Sequence, residues 1–353
     1  MALNLVLSRP QRWPIGGLSN ICNLGEIAKR ILARTKGVAD RLPAETLSQF
    51  VGQGEWRVTK DSFLAFVNQF PPSLREEVIE LLSKVRLLGR AALAADIRFA
   101  IGKCGKNQEA RGFITALTPD SGNFVRTVLD QEEHEFLKTN NWQVHKSISD
   151  AIAEANEGEL LVLCDDNVSS GIQSEAQFLS WFGIEKEKWP KETQRERNVG
   201  TSALTHAHQV KLRSLRVATA VCSGTANADR RLRHRASVLG IENFLGVQCK
   251  VETAPEAAAL SPALELFLRQ TGSDVLAFCR HASSTGVNGL SPAQQEDCLA
   301  DALGFGNARG LLATIFNVPT STLTALWCPG VSRKQAWVPL LMRRGYLRHL
   351  VLA

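Results

Sequence analysis

The chain has 353 residues, of which 44% are apolar, and it carries 41 Lys and Arg against 35 Asp and Glu for a formal net charge of +6. That length builds one large or two modest domains with a full core, and the apolar share supports a globular body. No segment approaches the ~18 consecutive apolar residues of a membrane span, and the opening Met1 to Arg12 is too short in its apolar run, and too broken by Pro10, for a signal peptide.

The positive balance favours anions without choosing among phosphorylated small molecules, nucleotides and nucleic acid. The eight cysteines are scattered singly and never as Cys-x-x-Cys, which fits reduced thiols filling a core better than a disulfide framework or a zinc ribbon. The expectation is a cytoplasmic protein that engages no membrane.

From Ile21 to about Lys103 the apolar spacing is helical and no strand is evident. Phe63, Phe66, Val67 and Phe70 mark one helix, started by Thr59 or Asp61. Leu74, Val78, Leu81, Leu82 and Val85 fall on one face of the next, where Ser73 and Glu76 after Pro71-Pro72 spell a capping box. Residues 1–105 therefore read as an all-helical amino-terminal module, with Gly102 to Asn107 as a linker.

Beyond it the pattern changes. Phe113 to Leu117 reads as a strand ending in the turn Pro119-Asp120-Ser121-Gly122, Leu160 to Cys164 as a second strand and Leu215 to Cys222 as a third, with helices at Ser147 to Ala155 and Glu175 to Phe182. Strands alternating with helices predict βαβ units, and so an α/β domain over 106–353 with a mainly parallel sheet and flanking helices. Glu185 to Gln209 is polar and reads as a surface excursion or flap. Gly310 to Phe316 and Leu323 to Trp327 are apolar runs of strand-like composition.

The most informative stretch is Leu161-Val162-Leu163-Cys164-Asp165-Asp166-Asn167-Val168-Ser169-Ser170-Gly171-Ile172-Gln173-Ser174. It joins a buried apolar strand, two adjacent acids and a small-residue loop to a helix start, where free N–H groups and the helix dipole favour a phosphate. Adjacent acids after a strand are in isolation a helix cap or a solvated turn; the Ser-Ser-Gly that follows shifts the reading to a ligand. A phosphorelay receiver also carries such acids, but the sheet here begins earlier and no later strand ends in a carboxylate.

This segment resembles the phosphoribosyl-pyrophosphate signature of type I phosphoribosyltransferases. By that resemblance Asp165 and Asp166 hold the ribose 2′ and 3′ hydroxyls and stand nearest to Mg²⁺, and Ser169, Ser170, Gly171, Ile172 and Gln173 wrap the 5′-phosphate. The turn Thr118, Pro119, Asp120, Ser121 and Gly122, one βα unit before the acids, reads either as the pyrophosphate loop or as an ordinary β-turn. Ile172 stands where the family carries a small residue and Gln173 where it carries Thr; Ser174 restores a hydroxyl one position later. Further stretches, Ala116 to Gly122, Leu303 to Arg309, Asn317 to Thr324 and Trp337 to Arg344, resemble the phosphoribosyltransferase-like family of bacterial conflict loci. That resemblance implies a type I phosphoribosyltransferase-like fold with a carboxyl-terminal hood and a phosphoribosyl pyrophosphate or nucleotide ligand. It also implies a role in anti-phage defence, with a partner such as a reverse transcriptase or a nucleic acid. A scaffold that binds such a ligand and has lost catalysis is the competing expectation.

Four arginines, Arg230, Arg231, Arg233 and Arg235, crowd one short stretch and read as a solvated helix face, or less readily as a phosphate-binding patch. Arg309 reads as structural rather than as a phosphate clamp. His206 with His208, and Cys279 with His281, lack the second pair that a metal site needs.

Overall fold

The computed structural model describes residues 58–341 except 106–109, 197–198, 201, 252–259, 315–317 and 319–321. The helices expected between Ile21 and residue 57 lie outside the described residues. Helix α1 (Lys60–Asn68) starts at Thr59, whose hydroxyl accepts from the Ser62 amide while the Ser62 hydroxyl accepts from the Thr59 amide. Phe63, Phe66, Val67 and Phe70 are all buried, as their spacing predicts. A 3₁₀ turn at Pro72–Leu74 then leads into α2 (Arg75–Ser83), so the helix begins at Leu74 with no side-chain cap, and the box expected from Ser73 and Glu76 does not form.

The chain next makes a strand, β1 (Arg86–Leu88), where only helices were expected. Three residues carry too little periodicity to announce themselves, and the strand exists because it pairs in parallel with Leu312–Thr314, more than two hundred residues on. Helix α3 (Arg90–Lys103) runs through Gly102, so the linker expected there begins inside a helix.

The main sheet is built from β2 (Gly112–Ala116), α4 (Ser121–Glu132), α5 (His134–Thr139), β3 (Trp142–Val144), α6 (Ile148–Glu154), β4 (Leu160–Val168), α7 (Ile172–Trp181), α8 (Lys191–Gln194), α9 (His206–Ser214), β5 (Arg216–Gly224), α10 (Ala226–Val238) and β6 (Phe244–Val251). Its strands are all parallel, in the order β3-β2-β4-β5-β6. Because side chains alternate along a strand, Leu161, Leu163, Val217 and Val221 join a cluster with α6, α7, α9 and α10. Val162, Cys164, Ala218 and Ala220 join another with α3 and α4. Both faces are thus covered, and each fully buried Leu or Val contributes roughly 1.5–3 kcal/mol.

The chain continues through α11 (Pro262–His281), α12 (Pro292–Ala300), β7 (Leu312–Thr314), α13 (Thr324–Trp327), β8 (Gly330–Ser332) and β9 (Gln335–Trp337). The run Leu323 to Trp327, expected as a strand, holds the one-turn helix α13, in which the Cys328 amide reaches the Thr324 carbonyl and the Trp327 indole N–H reaches Thr322. Apolar composition alone does not separate a short buried helix from a strand. Phe66, Phe70 and Leu82 share a core cluster with Phe267, Leu326 and Trp337, so α1 and α2 are built into the carboxyl-terminal layer. No helix among the described residues is long and apolar enough to cross a membrane. The seven described cysteines are all free thiols, and six are buried.

The polar stretch 185–209 is not wholly a surface excursion, since Trp189, Thr193 and Leu204 are buried. One anion ties it down. Glu175 of α7, 3% exposed, accepts from the Thr193 hydroxyl at 2.6 Å, Arg231 at 3.1 Å and Arg235 at 2.8 Å. Burial pushes the Glu175 carboxyl up, but the bonds from Thr193 and Arg235 and the two guanidinium charges outweigh it and hold it below the usual range. Its stabilisation is therefore present above the ordinary Glu value and is lost as pH falls through the depressed one. Removing one member of a buried pair costs ~3–5 kcal/mol, and the partial exposure of the arginines brings the expectation for Glu175→Gln to about 2–3 kcal/mol. Urea unfolding of parent and variant should show that gap at pH 7 and a narrowing of it in acid.

Candidate functional site

From β2 the chain turns to β3 on one side, while β4 lies on the other, so the strand order reverses between β2 and β4. In open α/β sheets ligands sit at the carboxyl ends of the strands at such a reversal. The two segments singled out in the sequence, 118–122 and 165–174, are the ones that leave β2 and β4 here.

The acids were expected just past a strand ending at Cys164. Instead β4 continues to Val168, because β5 is equally long and pairs with it as far as Val168 opposite Gly224. On the other edge the expectation holds: β2 stops at Ala116 opposite Cys164, and the Leu117 amide closes the ladder on the Cys164 carbonyl at 2.9 Å. Asp165 and Asp166 are thus paired into the sheet toward β5 and lie beyond its end toward β2.

Asp165 is 2% exposed and Asp166 6%. One Asp165 oxygen accepts from the Thr118 hydroxyl at 2.7 Å and the other from the Asp166 amide at 2.8 Å. The Thr118 oxygen in turn accepts from the Gly122 amide at 3.1 Å and lies 3.0 Å from the Ser121 hydroxyl. A Cβ on Gly122 would stand 2.9 Å from the Cys164 carbonyl oxygen, so only glycine lets the start of α4 come this close to β4. Pro119 and Asp120 are exposed at the tip of the turn, Asp120 at the cap position of α4 and the Pro119 carbonyl accepting from Asn123 at 2.7 Å.

Burial raises the Asp165 carboxyl above the ordinary range, although hydrogen bonds from Ser121, Thr118 and the Asp166 amide, and one shared with the Asp166 side chain, pull it partly back. A hydrogen bond between the Asp165 and Asp166 side chains brings the two carboxyl groups together.

The loop after β4 is shaped by Gly171. Its φ of +72° is one that side chains resist, and a Cβ there would meet Ala228 at 3.2 Å and Arg231 at 3.3 Å. Gly171 caps α7 without a side-chain bond. Around it the Ser169 hydroxyl accepts from Asn167 at 2.7 Å, the Ser169 carbonyl from Thr225, and the Ser170 hydroxyl from the Ile172 amide at 3.3 Å. Ile172 and Ser174 are buried and Gln173 half-buried.

Three features of this site were missed in the sequence. Thr225, at the start of α10, pins the loop from β5. The buried hydroxyls of Thr115, Thr219 and Ser223, on the two strands that flank β4, have no hydrogen-bond partner among the described residues. And the loop at Gly304–Asn307 lies over the phosphate-type loop, a Cβ on Gly306 standing 3.7 Å from Ser170 and 3.8 Å from Ile172. Asp301 holds that cover, accepting from the Gly306 amide at 2.9 Å, Arg280 at 2.7 Å and Arg195 at 3.2 Å. The only sequence signal for it was Leu303 to Arg309 as a stretch of family resemblance.

Three of the four arginines in the cluster are engaged within the fold, Arg231 and Arg235 with Glu175 and Arg233 with Asp229, while Arg230 is exposed. Arg309 is paired with Glu265 at 2.7 Å, the structural role expected of it. Among the described residues no group of three or more His, Cys, Asp or Glu is arranged to hold a metal ion. Because the Asp165 value is raised, the folded state favours its protonated form. Its contribution is full below the ordinary Asp value near ~4 and is lost as pH rises through the raised one. Thermal unfolding of Asp165→Asn against parent should therefore show the variant gaining relative stability as pH rises from acid to neutral; a difference flat with pH would contradict the assignment.

The family model PRTase-CE matches residues 63–343. A search of curated proteins found no match, and a search of solved structures found none. The matched span contains the parallel sheet, both loops at its reversal and the segment that lies over the second of them, and on that extent the chain belongs to the phosphoribosyltransferase-like PRTase-CE family.

Proposed function

We propose that the crevice between β2 and β4 binds phosphoribosyl pyrophosphate or a related nucleotide and that the chain is a phosphoribosyltransferase-like effector. The observation that carries this reading is the Thr118–Asp165 hydrogen bond, which joins the turn read as a pyrophosphate loop to the acid pair read as a ribose grip. The loop 169–174, at the start of a ten-residue helix, supplies hydroxyls and the positive end of the helix dipole for a 5′-phosphate.

In a transfer from such a donor the bond between the anomeric carbon and the pyrophosphate oxygen breaks, an acceptor nucleophile bonds to that carbon, and the electron pair leaves on pyrophosphate. Asp165 and Asp166 hold the sugar rigid and favour the positive charge that develops on it, while the Thr118–Gly122 turn receives the leaving group. The residues present make no protein cage for a metal. They fit Mg²⁺ only in its usual phosphate-borne form, with few protein carboxylates and several waters. Asp165 and Asp166 are the residues that would hold it, and its chemistry there is to neutralise the pyrophosphate. Scattered reduced thiols suit a cytoplasmic setting, and the family resemblance supports an anti-phage role with a protein partner such as a reverse transcriptase, or with nucleic acid.

Ile172 favours a second reading. It is 7% exposed at the first position of α7, beneath Gly306, where a phosphate pocket takes a small residue. On this reading the fold is a non-catalytic scaffold that senses a nucleotide or nucleic acid. Calorimetric titration of the full chain with phosphoribosyl pyrophosphate and Mg²⁺ decides between the two. The transferase reading expects binding, and pyrophosphate release once an acceptor base or nucleotide is added. It also expects Asp165→Asn with Asp166→Asn to weaken binding by about 1.5–3 kcal/mol for each lost charge-assisted bond. Binding of nucleic acid or nucleotide without any donor binding selects the scaffold.

A further inference from the structure

A second pocket of about 420 Å³ lies where the end of α1 meets α11 and the β8–β9 hairpin, and it shares no lining residue with the crevice between β2 and β4. Its size falls within the ~300–1,000 Å³ typical of small-molecule sites. Two cations, Arg75 and Arg333, line it and no carboxylate does. Arg333 lies 3.9 Å over the Phe267 ring and donates to the neutral amide of Gln270 at 3.0 Å. Burial lowers its proton affinity, and the charge of Asp274 offsets part of that.

Two polar groups in the wall are unsatisfied. Thr271 is fully buried and its hydroxyl has no hydrogen-bond partner among the described residues, and the Asn68 side-chain nitrogen is likewise buried without one. Such groups cost free energy in a folded chain unless something meets them. The hairpin turn is costly too, since Arg333 and Lys334 hold φ values of +50° and +62° where Asn-Gly is the comfortable pair. That turn carries Arg333 into the pocket wall. Phe70, Phe267 and Trp337 complete the wall with aromatic edges, and a guanidinium plane already stacked on one ring presents its other face to a second planar group.

We propose that this pocket is a second ligand site that takes a nucleoside monophosphate, its base against the Arg333 plane and its phosphate toward the arginines, with Thr271 and Asn68 supplying hydrogen bonds. The inference stands independently of the reading of the first site. Calorimetry of the full chain with AMP as probe should show saturable binding that excess phosphoribosyl pyrophosphate does not displace. Arg333→Gln should weaken it about tenfold or more, the loss of a charged contact. Thr271→Val, which removes an unsatisfied hydroxyl at constant shape, should weaken it about fivefold while raising the melting temperature of the unliganded protein. Photolabelling with 8-azido-AMP should mark peptides of α11 or the β8–β9 hairpin. No AMP binding, binding unchanged in both variants, displacement by phosphoribosyl pyrophosphate, or labelling confined to residues 118–122 and 165–174 would each overturn the proposal.

Discussion

The hydrogen bond from Thr118 to Asp165 is the joint on which the candidate site turns. It exists because β2 ends four residues before β4 does, so the chain leaving β2 folds back across the exposed edge of its longer neighbour. Gly122 permits that approach, and the Thr118 oxygen ties the first turn of α4 to the acid pair. The acid at this joint is buried and held by hydroxyls and an amide. Strand length, turn chemistry and electrostatics here serve one place.

Two further buried anions organise what surrounds that place. Glu175 gathers α7, α10 and the stretch before α9. Asp301 gathers Arg280, Arg195 and the Gly304–Asn307 loop. Arg195 belongs to the same polar stretch that Glu175 anchors through Thr193, so that stretch is held at two neighbouring positions, once to α7 and once to Asp301 beside the Gly304–Asn307 loop. Charged side chains that look like a solvated surface in the sequence act as internal fasteners, because each finds a partner brought from a distant part of the chain. Arg231 and Arg235 of α10 show the point: both are spent on Glu175, more than fifty residues earlier.

Much was legible from local pattern. The strands near 113, 160 and 216, the α/β class, Thr59 as a helix start and the burial of Phe63, Phe66, Phe70, Val78 and Leu82 follow from periodicity and capping chemistry, which operate within a few residues. The segments 118–122 and 165–174 were legible for the same reason, each being a strand followed by turn residues. The Ser73–Glu76 box failed because a 3₁₀ turn intervened, and Leu323 to Trp327 was misread because a short apolar run has no period to read.

What the sequence by itself determined is the set of elements whose signal is local: which runs are apolar at which spacing, where glycine breaks them, and which acids and hydroxyls follow them. Only the tertiary structure decided that β1 is a strand, that α1 and α2 share a core with Trp337, that β4 runs past its acids, and that Gly306 covers Ile172. Each of those depends on a partner dozens to hundreds of residues away. A strand needs another strand's N–H and C=O groups, and a buried charge needs its counter-charge. Neither partner can be read from the few residues on either side.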